Sequence, residues 1–234
     1  KTLGYEVSSP RAPIATVNVS LFTTASTKTM PAGTAFTTSV DGTSFQFVTV
    51  SDITSNSTGS SIPFDSINIY EGSYVTTRYT ADTSDVDQRF LLSDARSDTT
   101  TLKVKVQNSA SDSTTTTYTK ATDITQLSAS STVYFLQETD SGLFEIYFGD
   151  GTVSRALSDG NIVILQYVVT NKTASNGATV FGSPSSIDGV TGVTTTTVTS
   201  AIGGSESESI QSIKLNAPLD YAAQGRCVTV DDYK

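Results

Sequence analysis

Val133-Tyr-Phe-Leu-Gln-Glu-Thr-Asp-Ser-Gly-Leu-Phe-Glu-Ile-Tyr-Phe-Gly-Asp-Gly151 is the stretch whose reading decides the fold class. Its two apolar runs, Val133 to Leu136 and Leu143 to Phe148, are rich in the β-branched and aromatic residues that favour a pleated surface. Asp140-Ser-Gly142 between them is turn chemistry, and Phe148-Gly-Asp-Gly151 closes the second run. Two short apolar strands joined by a polar turn predict a hairpin. Downstream, Ile162 to Thr170 is nearly continuous apolar sequence, which reads as a strand buried on both faces.

The same grammar extends upstream. Val17, Val19 and Leu21 alternate with polar residues, as in a half-buried strand. Pro31-Ala-Gly33 and Asp41-Gly42 are turns, the latter between Phe36 and the run Phe45 to Val50, and predict another hairpin. Ser55 to Ser61 reads as a polar loop, and Glu71-Gly72 separates Ile67–Tyr70 from Tyr74–Tyr79. Leu102-Lys-Val-Lys-Val106 sets an apolar face against a lysine face, the pattern of an edge strand protected against stray pairing. Ser109 to Thr117, almost purely Ser, Thr and Asp, fits an exposed hairpin tip or a loop, and a Thr-rich strand follows at Val193 to Ser200 after a loop from Gly182 to Gly192. The expected fold is mainly β, with antiparallel sheets in β-sandwich-like lobes and a short helical C-terminal segment. Residues 1–70 are expected to form a small β lobe, 71–200 a larger β domain and 201–234 the helical segment. The chain starts at Lys1 and stops at Lys234 within an apparent helix start, so it is expected to be a piece of a longer protein.

Composition excludes several functions. The net charge is −9 and the fourteen basic residues are scattered, which argues against nucleic-acid binding. No apolar run is long enough to span a bilayer or to form a signal peptide, so no direct membrane partner is expected. The chain has no His, removing the commonest general base and zinc ligand, and its single cysteine, Cys227, excludes an internal disulfide framework.

Candidate sites each have a plainer reading. Asp41-Gly-Thr, Asp150-Gly-Thr and Asp188-Gly lack the alternating carboxylates of calcium loops and read as tight turns. Glu138, Asp140, Glu145 and Asp150 resemble a glycosidase pair only in residue type, with no Trp platform for a sugar. No Gly-x-Ser-x-Gly elbow is present, and neither a serine nor Cys227 has a His to activate it. The sequons at Asn18, Asn56 and Asn171 are what chance supplies in a Ser/Thr-rich chain. The expectation is no catalytic site, no metal and no cofactor.

From Ser205 the sequence changes character. Ser205-Glu-Ser-Glu208 has the spacing of a capping box, and Ile210 and Ile213 mark one helix face. Pro218 reads as the start of a second short helix ending at Gly225, and Thr229 as the cap of a third. Ile210, Ile213 and Leu215 are the candidate partner interface, with an intrachain core as the alternative.

Two segments carry a family resemblance. The first is Gly142-Leu-Phe-Glu-Ile-Tyr-Phe-Gly-Asp-Gly-Thr-Val-Ser154 with Asp159-Gly-Asn-Ile-Val-Ile-Leu-Gln-Tyr-Val-Val-Thr170 and Asn176-Gly177. The second is Glu208-Ser-Ile with Asn216-Ala-Pro, Tyr221, Gln224, Arg226, Val228-Thr and Asp232-Tyr. A weaker echo lies in Arg11-Ala-Pro-Ile-Ala and Pro31-Ala-Gly-Thr. Together they resemble the baseplate J-like family of contractile-tail phages and, within it, the T-even-type wedge proteins that form the inner baseplate ring. Ser154 and Leu157-Ser158 depart from the family's usual Gly and Pro. The resemblance implies a structural, non-enzymatic virion protein of the tail baseplate, assembled in the host cytoplasm. It implies self-association as a homodimer and in a ring around the hub, contacts with other wedge proteins, and a part in the change that triggers sheath contraction. It also makes Gly149, Asp150, Gly151, Asn216, Pro218, Tyr221, Arg226 and Tyr233 candidate turn and cap residues. The competing reading is a carbohydrate- or receptor-binding module of a phage fibre or adhesin, with a tail-associated hydrolase third.

Overall fold

The structure, a computed structural model, describes residues 5–122 and 126–223, with side chains in the last helix described to residue 219. Among the described residues, fourteen strands and one α-helix make it mainly β. The strands run β1 Ile14–Phe22, β2 Thr27–Met30, β3 Ala35–Val40, β4 Thr43–Val48, β5 Ile53–Asn56, β6 Ser61–Glu71, β7 Ser73–Thr80, β8 Phe90–Leu92, β9 Ser97–Gln107, β10 Thr115–Lys120, β11 Val133–Glu138, β12 Phe144–Tyr147, β13 Ile162–Val169 and β14 Val193–Ile202, before helix α1 Ile210–Ala223. A five-stranded sheet has the order β14-β1-β6-β4-β3, a seven-stranded sheet the order β7-β13-β9-β10-β11-β12-β8, and β2 and β5 form a separate ribbon. Pairings are antiparallel except for the short parallel match of Thr119–Lys120 with Val133–Tyr134.

The alternation in β1 becomes burial: Ala15, Val17, Val19 and Leu21 enter a core with Met30, Phe36, Phe47, Ile62, Phe64 and Ile69. Phe181 and Ile187, from the long connection before β14, close that core over the five-stranded sheet. The chain thus leaves the first sheet at β7 and returns to it through β14. The second core gathers Val163, Leu165 and Tyr167 of β13 with Val104, Val106, Tyr118, Phe90, Phe144 and Ile146. Strand β13 is sandwiched between β7 and β9 and buries residues on both faces, as its continuous apolar sequence predicts. The hairpins β3–β4, β9–β10 and β11–β12 all form. Asp41 and Gly42, and Asp188 and Gly189, all have positive φ (49°, 79°, 47° and 77°), the pairing of a two-residue type I′ turn.

Two local expectations are corrected. Strand β9 is interior, between β13 and β10, and is not an edge. Its lysine face looks into the cleft between the sheets, where Lys103 Nζ donates to the Val50 carbonyl at 2.6 Å and to Ser51 Oγ. Burial pushes the Lys103 ammonium below its usual pKa, with the like charge of Lys105 adding to the effect. The polar stretch from Ser55 is loop only after Asn56, because Ser55 and Asn56 pair with Lys28 and Thr27 in the β2–β5 ribbon.

The chain crosses from one sheet to the other at one residue. Gly72, at φ +124°, separates β6 of the first sheet from β7 of the second. Beside it the Glu71 carboxylate, fully buried, accepts hydrogen bonds from Thr170 Oγ1 (2.7 Å), Asn171 N (2.8 Å) and Asn171 Nδ2 (2.7 Å). Buried Asp98 does the equivalent for the N-terminal segment, accepting from Ala12 N at 2.8 Å and from Thr100 N and Oγ1 at 2.9 and 2.6 Å. Ala12, Val48 and Val168 pack as a small apolar cluster in the same joint. Buried carboxylates are tolerable only when their lone pairs are satisfied, and these are.

Candidate functional site

The expected site residues fall in two places, the turn after β12 and the segment that carries α1. At the turn, Gly151 has φ +90° and donates to the Ser154 carbonyl at 3.0 Å. Asp150 accepts from Thr152 N at 2.9 Å, and that backbone bond chiefly holds its carboxyl below the usual carboxylate range. Gly149 is needed for a different reason: a Cβ there would sit 2.0 Å from Ser154 Oγ and 3.0 Å from the Ser154 carbonyl oxygen. Ser154 is completely buried and its hydroxyl has no hydrogen-bond partner. Gly149→Ala is therefore expected to destabilise the protein by about 1–3 kcal/mol through overpacking. Ser154→Gly in the same chain should recover part of that loss. Urea titrations of both single variants and the double variant measure the coupling, and strict additivity would contradict the geometry.

The capping-box expectation is corrected. Ser205 is held in a bridge with Arg11, Arg11 N to Ser205 O at 3.0 Å and Ser205 N to Arg11 O at 3.1 Å, so it is extended and does not cap. The cap is Ser209: its Oγ accepts from Ser212 N at 3.2 Å and its carbonyl from Ile213 N at 2.9 Å. Glu208, just before the cap, fastens the helix to the N-terminal segment. Its carboxylate accepts from Tyr5 Oη (2.7 Å), Ser8 N (3.3 Å), Ser212 Oγ (2.7 Å) and Asn216 Nδ2 (3.2 Å), and its own N–H donates to the Ser8 carbonyl at 3.0 Å. Asn216, expected as a turn or cap residue, also donates to Ser212 Oγ at 2.9 Å, on the first turns of the helix.

Those bonds, led by the one from Ser212, depress the Glu208 carboxyl pKa below its ordinary 4.5. A carboxyl with a lowered folded-state pKa stabilises fully above the unfolded value and loses that stabilisation as pH falls through the folded one. Helix anchorage should then be intact at pH 6 and weaken below about pH 4.5. Amide exchange in α1, corrected for intrinsic rates, is expected to be faster at pH 3 than at pH 6, and Glu208→Gln should remove that difference. Ser209→Ala should cost the helix about 1 kcal/mol at either pH.

A single helix runs through Pro218, where a second short helix was expected to begin. The apolar residues of the first turns continue past the proline, which removes one backbone donor and leaves the Lys214 carbonyl without its usual partner. Ile210 and Leu215 are largely exposed, Ile213 is partly buried and Ala217 is buried. At 3.6 residues per turn, Ile213 and Leu215 lie roughly 160° apart, so the three candidate interface residues do not share a face. Leu215 and Leu219, one turn apart, instead form an exposed pair on the side away from Ala217. Tyr221 lies in the helix backbone; Arg226, Tyr233, Gly225, Cys227 and Thr229 lie outside the described residues.

Glu138, Asp140, Glu145 and Asp150 are spread over the β11–β12 hairpin and the turn after it, and Glu145 is occupied by Gln137 Nε2 at 2.5 Å. The aromatic pair on that hairpin is also committed: Phe135 stacks on Tyr147 at 5.1 Å, and Arg89 sits 4.3 Å over the Tyr147 ring. Sequence reading missed Glu71 and Asp98. Glu71 had one signal, an acid at the end of the alternating strand Ile67-Asn-Ile-Tyr-Glu71, whereas Asp98 lies among Ser and Thr in Ser97-Asp-Thr-Thr-Thr101 and had none.

Two sheets bridged through the buried Glu71 and Asp98, with a helix tied on through the half-buried Glu208, define a two-sheet β module. The chain belongs to the family described as bacteriophage baseplate wedge protein gp6, third domain, which it matches over residues 76–193. It is similar to the baseplate wedge protein gp6 of Enterobacteria phage T4, with 29% identity over 45% of this chain and 19% of that protein's length. The chain thus corresponds to well under two thirds of that relative. The family match contains the Phe148-Gly-Asp-Gly151 turn and all of β8 to β13, and it ends before the Ser205–Lys234 tail.

Proposed function

We propose that this chain is a structural part of a contractile-tail phage baseplate wedge, resident in the virion tail and assembled in the host cytoplasm. The family match across the seven-stranded sheet carries the reading. In this reading the chain acts by assembly. It self-associates, in the baseplate as part of a ring around the hub, and it contacts other wedge proteins. A stiff body suits the transmission of the change that triggers sheath contraction: the Gly72 joint is bridged by buried bonds, so a force on one sheet reaches the other with little internal give.

Light scattering of this chain over a wide concentration range, paired with pull-down of the other wedge proteins of the same baseplate, tests the proposal. Concentration-dependent association and retention of at least one wedge protein are expected. A monomer at every concentration that retains none would overturn it.

A further inference from the structure

Sheet edges expose unpaired backbone groups, and proteins usually blunt them with charge, proline, brevity or a covering segment. Among the described residues three of the four outer edges of the two sheets are managed in this way. Strand β3 is covered by the 180–182 segment, with Gly182 N donating to the Thr37 carbonyl and Thr38 Oγ1 to the Val180 carbonyl, each at 2.7 Å. Strand β8 is only three residues long, and β7 carries Arg78. The fourth edge, β14, is ten residues long and reads Val-Thr-Thr-Thr-Thr-Val-Thr-Ser-Ala-Ile, without a charge or a proline.

On the side away from β1, among the described residues, only the end of β14 finds backbone partners: Ala201 N donates to the Ala178 carbonyl and Gly177 N to the Ala201 carbonyl, at 2.8 and 2.7 Å. Residues 193–199, about 23 Å of strand, have no backbone partner along that edge among the described residues. Thr196, Thr197, Val198 and Thr199 are all exposed, so neither face of this stretch is covered.

We propose that β14 is a docking edge for β14 of a second copy, the two strands pairing antiparallel across a two-fold axis and fusing two five-stranded sheets into one. Outward-pointing peptides alternate along the regular part of β14, Val193 to Thr197, so a self-paired edge must have its axis through a residue. With the axis at Thr196, Thr195 faces Thr197; beyond them the strand bulges at Val198, the extra residue between Thr197 and Thr199, which pair with Val17 and Thr16. Axes at Thr195 or Thr197 also oppose only uncharged residues along the open stretch. Cross-strand pairs of β-branched residues stabilise such a ladder, whereas like charges directly opposite oppose it. In a chain of net charge −9, an edge free of charge is the place where two copies meet with least repulsion. This inference rests on the self-association proposed above and assigns it a surface.

Sedimentation equilibrium from micromolar to near-millimolar concentration tests it with the chain as it stands, Thr196→Lys, and Ser113→Lys as a charge-matched control in the exposed β9–β10 turn. Thr196→Lys brings two ammonium groups together at the axis and should weaken dimerisation at least tenfold, leaving circular dichroism and Ser113→Lys unchanged. A dimer insensitive to Thr196→Lys would overturn the β14 edge and leave self-association standing. A monomer throughout would overturn both.

Discussion

Gly72→Ala is expected to cost more than about 4 kcal/mol and to leave little folded protein. Two independent effects act at this position. The backbone has φ +124°, a conformation that L side chains rarely adopt and that costs on the order of 1–3 kcal/mol to impose. A Cβ there would also lie 2.2 Å from the Val169 carbonyl oxygen and 2.9 Å from Val168 Cγ1. The first obstacle is backbone in a central strand, which cannot swing aside as a side chain would. Relief would require β7 to move off β13, breaking the register that pairs Ser73 with Val169 and exposing the Glu71 carboxylate bonds. Gly42→Ala separates the two causes: its φ is +79° but nothing lies within 4 Å of the added carbon. It should lose only about 1–2 kcal/mol, from backbone strain alone. Urea midpoints of the two variants measure the contrast, and equal losses would mean that the close approach at Gly72 carries no energy.

Phe47→Ala is expected to destabilise by about 3–5 kcal/mol. The ring is fully buried in the core of the five-stranded sheet, pairs across β3–β4 with Phe36, and meets Phe181 edge-on at 4.9 Å. Removing it leaves a hole that strands on both sides hold open, because β4 is hydrogen-bonded to β3 and β6. It also releases the 178–187 connection, whose Phe181 closes the core from outside the sheet. Thermal and urea unfolding give the magnitude. Phe22→Ala is the control: the residue is 61% exposed at the end of β1, and the loss should fall within about 0.5 kcal/mol of zero. Similar losses at both positions would show that aromatic content, and not burial in this core, sets stability.

Local pattern made most strands legible. Alternation at Val17, Val19 and Leu21, the apolar run of β13, and the Asp-Gly and Asp-Ser-Gly turns depend on near neighbours, and all appear as read. The errors concern partners distant in sequence. Leu102-Lys-Val-Lys-Val106 has the local signature of an edge, yet its lysine face meets Val50 and Ser51 across the cleft. Ser205 has capping-box spacing, yet pairing with Arg11, nearly two hundred residues earlier, holds it extended, and Ser209 caps instead. Pro218 looks like a helix start because proline suits that position and is locally disfavoured inside a helix, yet the helix begun at Ile210 runs through it at the loss of one backbone hydrogen bond.

The candidate site divides in the same way. The bonds around Gly149, Asp150 and Gly151 are set within six residues, so their signal in the sequence is local. Glu208 was visible only as part of a cap; its role as an anchor depends on Tyr5 and Ser8. The sequence alone determined the β class, the turns and the resemblance to baseplate wedge proteins, because periodicity, turn chemistry and motif order are local properties of the chain. Only the tertiary structure decided that β14 returns to the first sheet, that Glu71 and Asp98 are buried locks, and which strand is left as an open edge. Those features are pairings between segments tens to nearly two hundred residues apart, and hydrogen bonds carry no trace in the sequence of the partner that completes them.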